Sequence, residues 1–193
     1  MYVDINLIVN ENSAATYKRE AAMTVAKAMR CASGSNEMGL LEKKVRTCLW
    51  FPKGGVVAAE FYVSLLPDSR IDGVMDHGVP DDPMVVEYTL AGAPMMHLTG
   101  GPHFQPSPAA SISVLTKDQE ETDRLWTALL ANGGQESMCG WLADRFDVSW
   151  QIIPQVLIEL QRVPDRAAAG RVRDAMLKMR KIDIAAIEAA FAG

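Results

Sequence analysis

The chain has 193 residues, 49% hydrophobic and 22% charged, with a formal net charge of −5. That balance suits a globular protein of one domain or two small modules, and it lacks the basic footprint of a nucleic-acid binder. No apolar run reaches the roughly 18 residues of a membrane span, and the N-terminus has no basic region of the kind that opens a signal peptide. Three scattered cysteines, Cys31, Cys48 and Cys139, show no CxxC spacing, so a cytoplasmic setting is expected rather than a disulfide framework or a structural zinc.

Residues 1–44 differ in character from the rest. Val3, Ile5, Leu7 and Val9 alternate with polar neighbours as in a strand, and Ser13 can cap a helix running to about Ala32. A Gly/Ser/Asn linker follows over 31–39. Two readings stay open for this stretch: a strand-helix arm, or an over-extended start with Met38 as the natural first residue.

From Val45 the pattern sharpens. Val45 to Phe51 predicts a strand ended by Pro52 and Gly54-Gly55, and a helix is expected from about Val56 to Leu66, with Val57, Phe61 and Leu65 on one face. Pro67-Asp68 stops it. Ser69 to Asp76 predicts a second strand. Met84 to Leu90 and Pro94 to Leu98 predict a hairpin through Ala91-Gly92-Ala93. The order then begins again, with a strand over Ala110 to Leu115. A helix to about Ala131 follows, for which Thr116 and Asp118 are competing caps; Leu125, Trp126, Leu129 and Leu130 lie on its buried side. Asn132-Gly133-Gly134 ends it.

Glu136 to Pro154 predicts an extended run, a polar turn over Asp144 to Asp147, and a second run over Val148 to Ile153. On that second run Trp150, Ile152 and Pro154 point one way, while Ser149, Gln151 and Ile153 point the other. A buried Gln151 needs a partner or a cavity to satisfy its amide. The tail is helical: Pro154 opens one helix, Pro164-Asp165 another, and Asp183 caps a last one carrying Ile184, Ile187 and Phe191. Ala168, Val172, Met176 and Met179 form a stripe suited to a core or a subunit contact.

The Glu136–Pro154 hairpin, the Cys139-Gly140-Trp141 run and the tail run Lys178 to Ala186 resemble the vicinal-oxygen-chelate (glyoxalase/bleomycin-resistance) superfamily. The similarity is strongest to its PhnB-like branch, whose members carry the label 3-demethylubiquinone-9 3-methyltransferase, and it spans Val45 to Gly193. The resemblance implies an α+β fold of paired βαβββ modules, one over 45–105 and the other over 106–154, followed by a helical tail over 155–193. It also implies a homodimer, since the superfamily commonly forms dimers.

In metal-using members, inward strand residues supply His, Glu or Gln ligands. The matching positions here are Thr47, Ser111 (or Ser113 one register step on), Met96 or His97, and Gln151. Thr, Ser and Gln are poor ligands for a tightly held transition metal, so no catalytic metal is expected. His97 is the one residue that could restore a site, as ligand or base; without a second strong ligand, an ordinary hydrogen-bonded histidine is the simpler reading. His103 falls in the loop between modules and His77 in a polar loop. Cys139 has no neighbour set to lower its pKa. Trp50, Trp141 and Trp150 are aromatic candidates for a pocket, with Trp141 and Trp150 preferred as walls.

A methyltransferase binding S-adenosylmethionine in the common fold would need a Gly-rich strand-to-helix turn in a doubly wound sheet. Gly54-Gly55 has no such spacing, and the element order is wrong for that sheet. The leading expectation is therefore a small-molecule binding protein with Thr47, Ser111 and Gln151 on the floor of its cup and Trp141 and Trp150 as walls. The alternatives are a divalent-metal lyase, isomerase or dioxygenase using His97 and Gln151, and a structural dimeric partner with a vestigial pocket. Whether the protein is an enzyme stays open at this point.

Overall fold

Two four-stranded mixed sheets, each with a helix across one face, form the body of the protein. The structure, a computed structural model, describes residues 43–76 and 82–193. The expected N-terminal strand and helix, the linker with Cys31, and His77 lie outside the described residues.

The first module consists of β1 (Thr47–Phe51), α1 (Gly55–Leu65), β2 (Arg70–Met75), β3 (Val85–Leu90) and β4 (Ala93–Thr99), with strands in the order β1-β4-β3-β2. β1 runs parallel to β4, and the other pairs are antiparallel. The β3–β4 hairpin turns on two residues, Ala91 and Gly92, at φ 46° and 80°. Positive φ at both central positions is the primed turn whose twist matches the flanking strands. That turn pairs Leu90 with Ala93 and so fixes the register of the whole hairpin.

The second module repeats the order with β5 (Ser111–Thr116), α2 (Gln119–Leu130), β6 (Gln135–Glu136), β7 (Trp141–Ala143) and β8 (Ser149–Pro154), arranged β5-β8-β7-β6. Asp118 is the cap of α2, its carboxylate accepting from the Glu121 N–H at 2.8 Å. Thr116 is buried and bonds Thr122 instead. The architecture is α+β, with paired βαβββ modules and a helical tail.

The helix-covered faces of both sheets share one core. Ala58, Ala59, Tyr62 and Leu65 of α1 pack with Val86, Tyr88, Leu90, Leu125, Trp126, Leu129, Leu142, Trp150 and Ile152. Burying a large apolar side chain of this kind contributes about 1.5–3 kcal/mol. The stripe of α1 that enters the core differs from the expected one. Val57 is 49% exposed, whereas Ala58, Ala59 and Tyr62 are fully buried. α1 is apolar on nearly every side, so spacing alone does not choose its inward face.

The tail forms α3 (Gln155–Arg162), α4 (Arg166–Met176) and α5 (Ile184–Ala192). Asp165 caps α4 by accepting from Ala167 and Ala168 N–H, both at 3.0 Å, and Asp183 caps α5 through Ala186 N–H. These helices close over a second cluster, Ile153, Leu157, Val172, Ile182 and Ile187, against which Met176 and Met179 pack. Among the described residues no helix is long and apolar enough to cross a membrane.

Candidate functional site

Strand alternation gives each sheet one face in the shared core and one open face. On the second sheet, Trp150 pairs with Ile112 and Leu142, and all three belong to the core. The opposite face therefore carries Ser111, Ser113, Trp141, Gln151 and Ser149, the last of them buried. Gln151 lies opposite Ser113 and Trp141, and its Nε2 donates to Ser111 Oγ at 2.8 Å. The amide thus finds the partner its half-buried position requires.

On the first sheet, Met95, His97 and Thr99 of β4 pair with Thr47, Leu49 and Phe51, on the core side. Cys48, Trp50, Met96 and Leu98 point the opposite way. Trp50 is locked there: its Nε1 donates to Gly101 O at 2.8 Å, and its ring meets Phe104 edge-on at 5.0 Å between centroids. A Cβ at Gly100 would lie 2.3 Å from that indole, so only glycine lets the chain pass so close. Burial raises the Cys48 thiol pKa, and the Arg46 charge pulls the other way.

Of the six residues singled out from the sequence, Ser111, Gln151 and Trp141 come together on one open face. Trp150 does not join them: it is 1% exposed in the core, because the β8 alternation that turns Gln151 outward turns Trp150 inward. Thr47 and His97 share the core side of the first sheet, so Thr47 is not on a common floor with Gln151. Thr47 and Ser111 do meet across a cleft of about 390 Å³, lined also by Leu66, Leu90, Met95 and β5 as far as Leu115.

His97 has no exposed surface. Its Nδ1–H donates to Gly55 O at 2.8 Å, and its Nε2 accepts from the Tyr88 hydroxyl at 2.6 Å, an assignment forced by the carbonyl acceptor. Burial lowers its pKa to about 4, against a smaller opposing effect of the Gly55 carbonyl. Tyr62, edge-on to the His97 ring at 5.6 Å between centroids, links it to Asp144, which is 1% exposed. Its Oδ2 accepts from Tyr62 Oη at 2.6 Å and Trp150 Nε1 at 2.9 Å, and its Oδ1 from the N–H groups of Phe146 and Val148. Burial, with the Asp144 charge adding to it, raises the Tyr62 pKa far above the ordinary phenol range. This network ties α1 to the β7–β8 turn. The sequence marks Asp144 as a turn residue and offers no signal for its partner Tyr62, 82 positions away.

The donor set does not fit a tightly held divalent metal. Among the described residues no group of three or more His, Cys, Asp or Glu side chains could hold one. Both nitrogens of His97 are engaged, and Glu87 is ion-paired with Arg46. Nor do Gly54-Gly55 make a nucleotide cradle. Gly54 N–H donates to Asp82 Oδ1 at 3.0 Å, and a Cβ on Gly55 would lie 2.6 Å from Thr99 Oγ1. The pair is used for close packing of α1 on β4.

Cys139 and Gly140 matter through their backbone. Both have left-handed φ, 60° and 83°, and their N–H groups donate to Met179 O and Arg180 O, each at 2.7 Å. The Cys-Gly-Trp run thereby straps the tail to the second sheet. His103 is exposed on the loop between the modules.

Residues 43–153, more than half of the chain, match the family model described as 3-demethylubiquinone-9 3-methyltransferase. No curated protein matches the chain. A solved structure described as a putative 3-demethylubiquinone-9 3-methyltransferase, PhnB protein, from Bacillus cereus is 27% identical with a TM-score of 0.53, covering 58% of this chain and 99% of that one. Protein PA1353 from Pseudomonas aeruginosa is 22% identical with a TM-score of 0.49, covering 57% and 96%. The fosfomycin resistance protein FosX from Listeria monocytogenes is 13% identical with a TM-score of 0.45, covering 66% and 96%. With this match over more than half of its length, and with likeness to the PhnB protein, the chain belongs to the 3-demethylubiquinone-9 3-methyltransferase family.

Proposed function

We propose that the protein is a homodimer that binds a small organic molecule without a catalytic metal. The observation that carries this reading is the cluster on the second sheet's open face, where the Gln151 amide, Ser111 and Ser113 converge beside Trp141. Neutral hydrogen-bonding groups next to an aromatic wall are the usual lining of a small-molecule site. One chain buries the helix faces of its sheets in a shared core, so the opposite faces look outward, apart from the Ile153 end of β8 that the tail covers. A second copy would set the open face of one first sheet against that of the other chain's second sheet and close two cups. Exposed Leu115, on an open face, and exposed Phe104, beside Trp50, fit such burial. Two free cysteines, Cys48 and Cys139, fit a reducing cytoplasm.

The divalent-metal alternative finds less support, since His97 can ligate only by giving up Tyr88 or Gly55. The methyltransferase activity in the family description is not carried over to this chain: two mixed sheets do not build the doubly wound sheet of the common S-adenosylmethionine fold. The test is sedimentation together with native mass spectrometry of untagged protein. The expected result is a dimer with an organic adduct that denaturation releases. A monomer with nothing retained, or a near-stoichiometric metal that vanishes in His97→Ala, overturns the proposal.

A further inference from the structure

The charges on the two open faces are already matched within each face. On the first sheet Arg46 is paired with Glu87. Arg70 Nε meets Asp72 Oδ1 at 2.7 Å, and Asp72 Oδ2 accepts from Thr89 Oγ1 at 2.6 Å. The remaining strand positions of this face, Cys48, Trp50, Val85, Pro94, Met96 and Leu98 among them, are uncharged. On the second sheet the strand positions of this face, Ser111, Ser113, Leu115, Gln135, Trp141, Ala143, Ser149 and Gln151, carry no charge, and Ile153 at its far end is covered by the tail helices. A carboxylate, phosphate or ammonium group entering a cup built from these faces would lose its hydration and find no free counter-ion among the described strand positions, a cost that unpaired buried charges do not recover.

Two groups are set to read something else. Gln151 has given one amide N–H to Ser111; its second N–H and its carbonyl oxygen have no protein partner among the described residues. Trp50 is held flat by Gly100 and its bond to Gly101, so its exposed surface is a fixed platform whose ordering costs nothing on binding. We infer that the site takes an uncharged, flat ring compound bearing a carbonyl or hydroxyl group, with the ring on Trp50 and the oxygen at the free N–H of Gln151. This rests on the dimeric binding reading above, which brings the two faces together.

The test uses the full chain and two matched probe pairs, coumarin with coumarin-3-carboxylate and 1-naphthol with 1-naphthoate, followed by calorimetry at neutral pH. The neutral member of each pair should bind at least about tenfold tighter than its anion, and Gln151→Ala should weaken it by about tenfold, the worth of one buried hydrogen bond. Ser113→Ala, which leaves the Gln151–Ser111 bond intact, serves as a folded control with a smaller loss. Anions that bind as well as or better than their neutral partners overturn the inference and leave the binding reading standing. Failure of all four probes on a dimeric protein also overturns it. A monomer that retains nothing removes the reading beneath it.

Discussion

Replacing Asp144 with Asn tests whether the seam between the modules is held as the geometry implies. The carboxylate accepts four hydrogen bonds in the core, from Tyr62 and Trp150 on one oxygen and from the Phe146 and Val148 N–H groups on the other. Asn keeps the shape but turns one acceptor into a donor. At the Oδ2 place, that donor faces the Trp150 N–H, which cannot turn away; at the Oδ1 place it faces two backbone N–H groups. Either way a buried N–H is stranded, at about 1–3 kcal/mol, and the surviving bonds fall from the about 1.5–3 kcal/mol of a charged acceptor to nearer 1 kcal/mol. The sum is about 3 kcal/mol, or roughly 6–12 °C in Tm for a chain of this length. Urea unfolding followed by circular dichroism should show the midpoint fall with the slope unchanged. Tyr62→Phe removes one bond and should cost about 1.5–2 kcal/mol. Because both substitutions act on one network, the double variant should lose less than the two separate losses together. A loss below about 1 kcal/mol for Asp144→Asn would refute the reasoning, since it would mean that the buried donors find other acceptors.

Three further outcomes are expected. His97, with an ordinary pKa of 6.5 lowered to about 4 by burial, takes up its proton in the unfolded chain first. Its contribution is thus full above about pH 6.5 and lost as pH falls toward about 4, a drop of about 3 kcal/mol that urea midpoints should show and His97→Gln should flatten. Gly55→Ala should destabilise by about 1–2 kcal/mol because its new Cβ meets Thr99 Oγ1. Since that hydroxyl has no partner among the described residues, adding Thr99→Ala should restore stability, and thermal melting of the three variants decides it. Mn²⁺, Ni²⁺, Zn²⁺ and Fe²⁺ should leave the melting temperature unmoved; a shift that His97→Ala abolishes would contradict the engaged state of that ring.

The order of elements was legible because glycine and proline punctuate it. Pro52 and Gly54-Gly55 end β1, Ala91-Gly92 makes the hairpin turn, and Asn132-Gly133 ends α2, each by local backbone geometry that needs no distant partner. Alternation along β8 likewise separated Trp150 and Ile152 from Gln151. What alternation cannot say is which of two faces another element covers. That is why Trp150 was expected as a pocket wall and Trp50 was passed over, although the structure puts the first in the core and the second on an open face. Tyr62 and Asp144 show the same limit. One reads as a helix aromatic and the other as a turn former, and only the packing of α1 against the β7–β8 turn makes them partners.

His97 shows how narrow the margin between core and site is in this fold. Neighbouring strand positions face opposite ways, so a one-residue change in the β3–β4 register would exchange Met96 and His97. The two-residue turn at Ala91-Gly92 removes that freedom by pairing Leu90 with Ala93, which sets Met96 opposite Glu87 and His97 opposite Val86. The imidazole then falls beside Tyr88 and Gly55 and is used to satisfy the core, while the open face receives a thioether. The polar groups that satisfy the core, His97, Tyr88, Tyr62 and Asp144, thus lie on the covered faces, and those proposed to meet a ligand, Gln151, Ser111 and Ser113, lie on the opposite one. Substitutions in the first set should therefore change stability, and those in the second should change binding with little effect on folding.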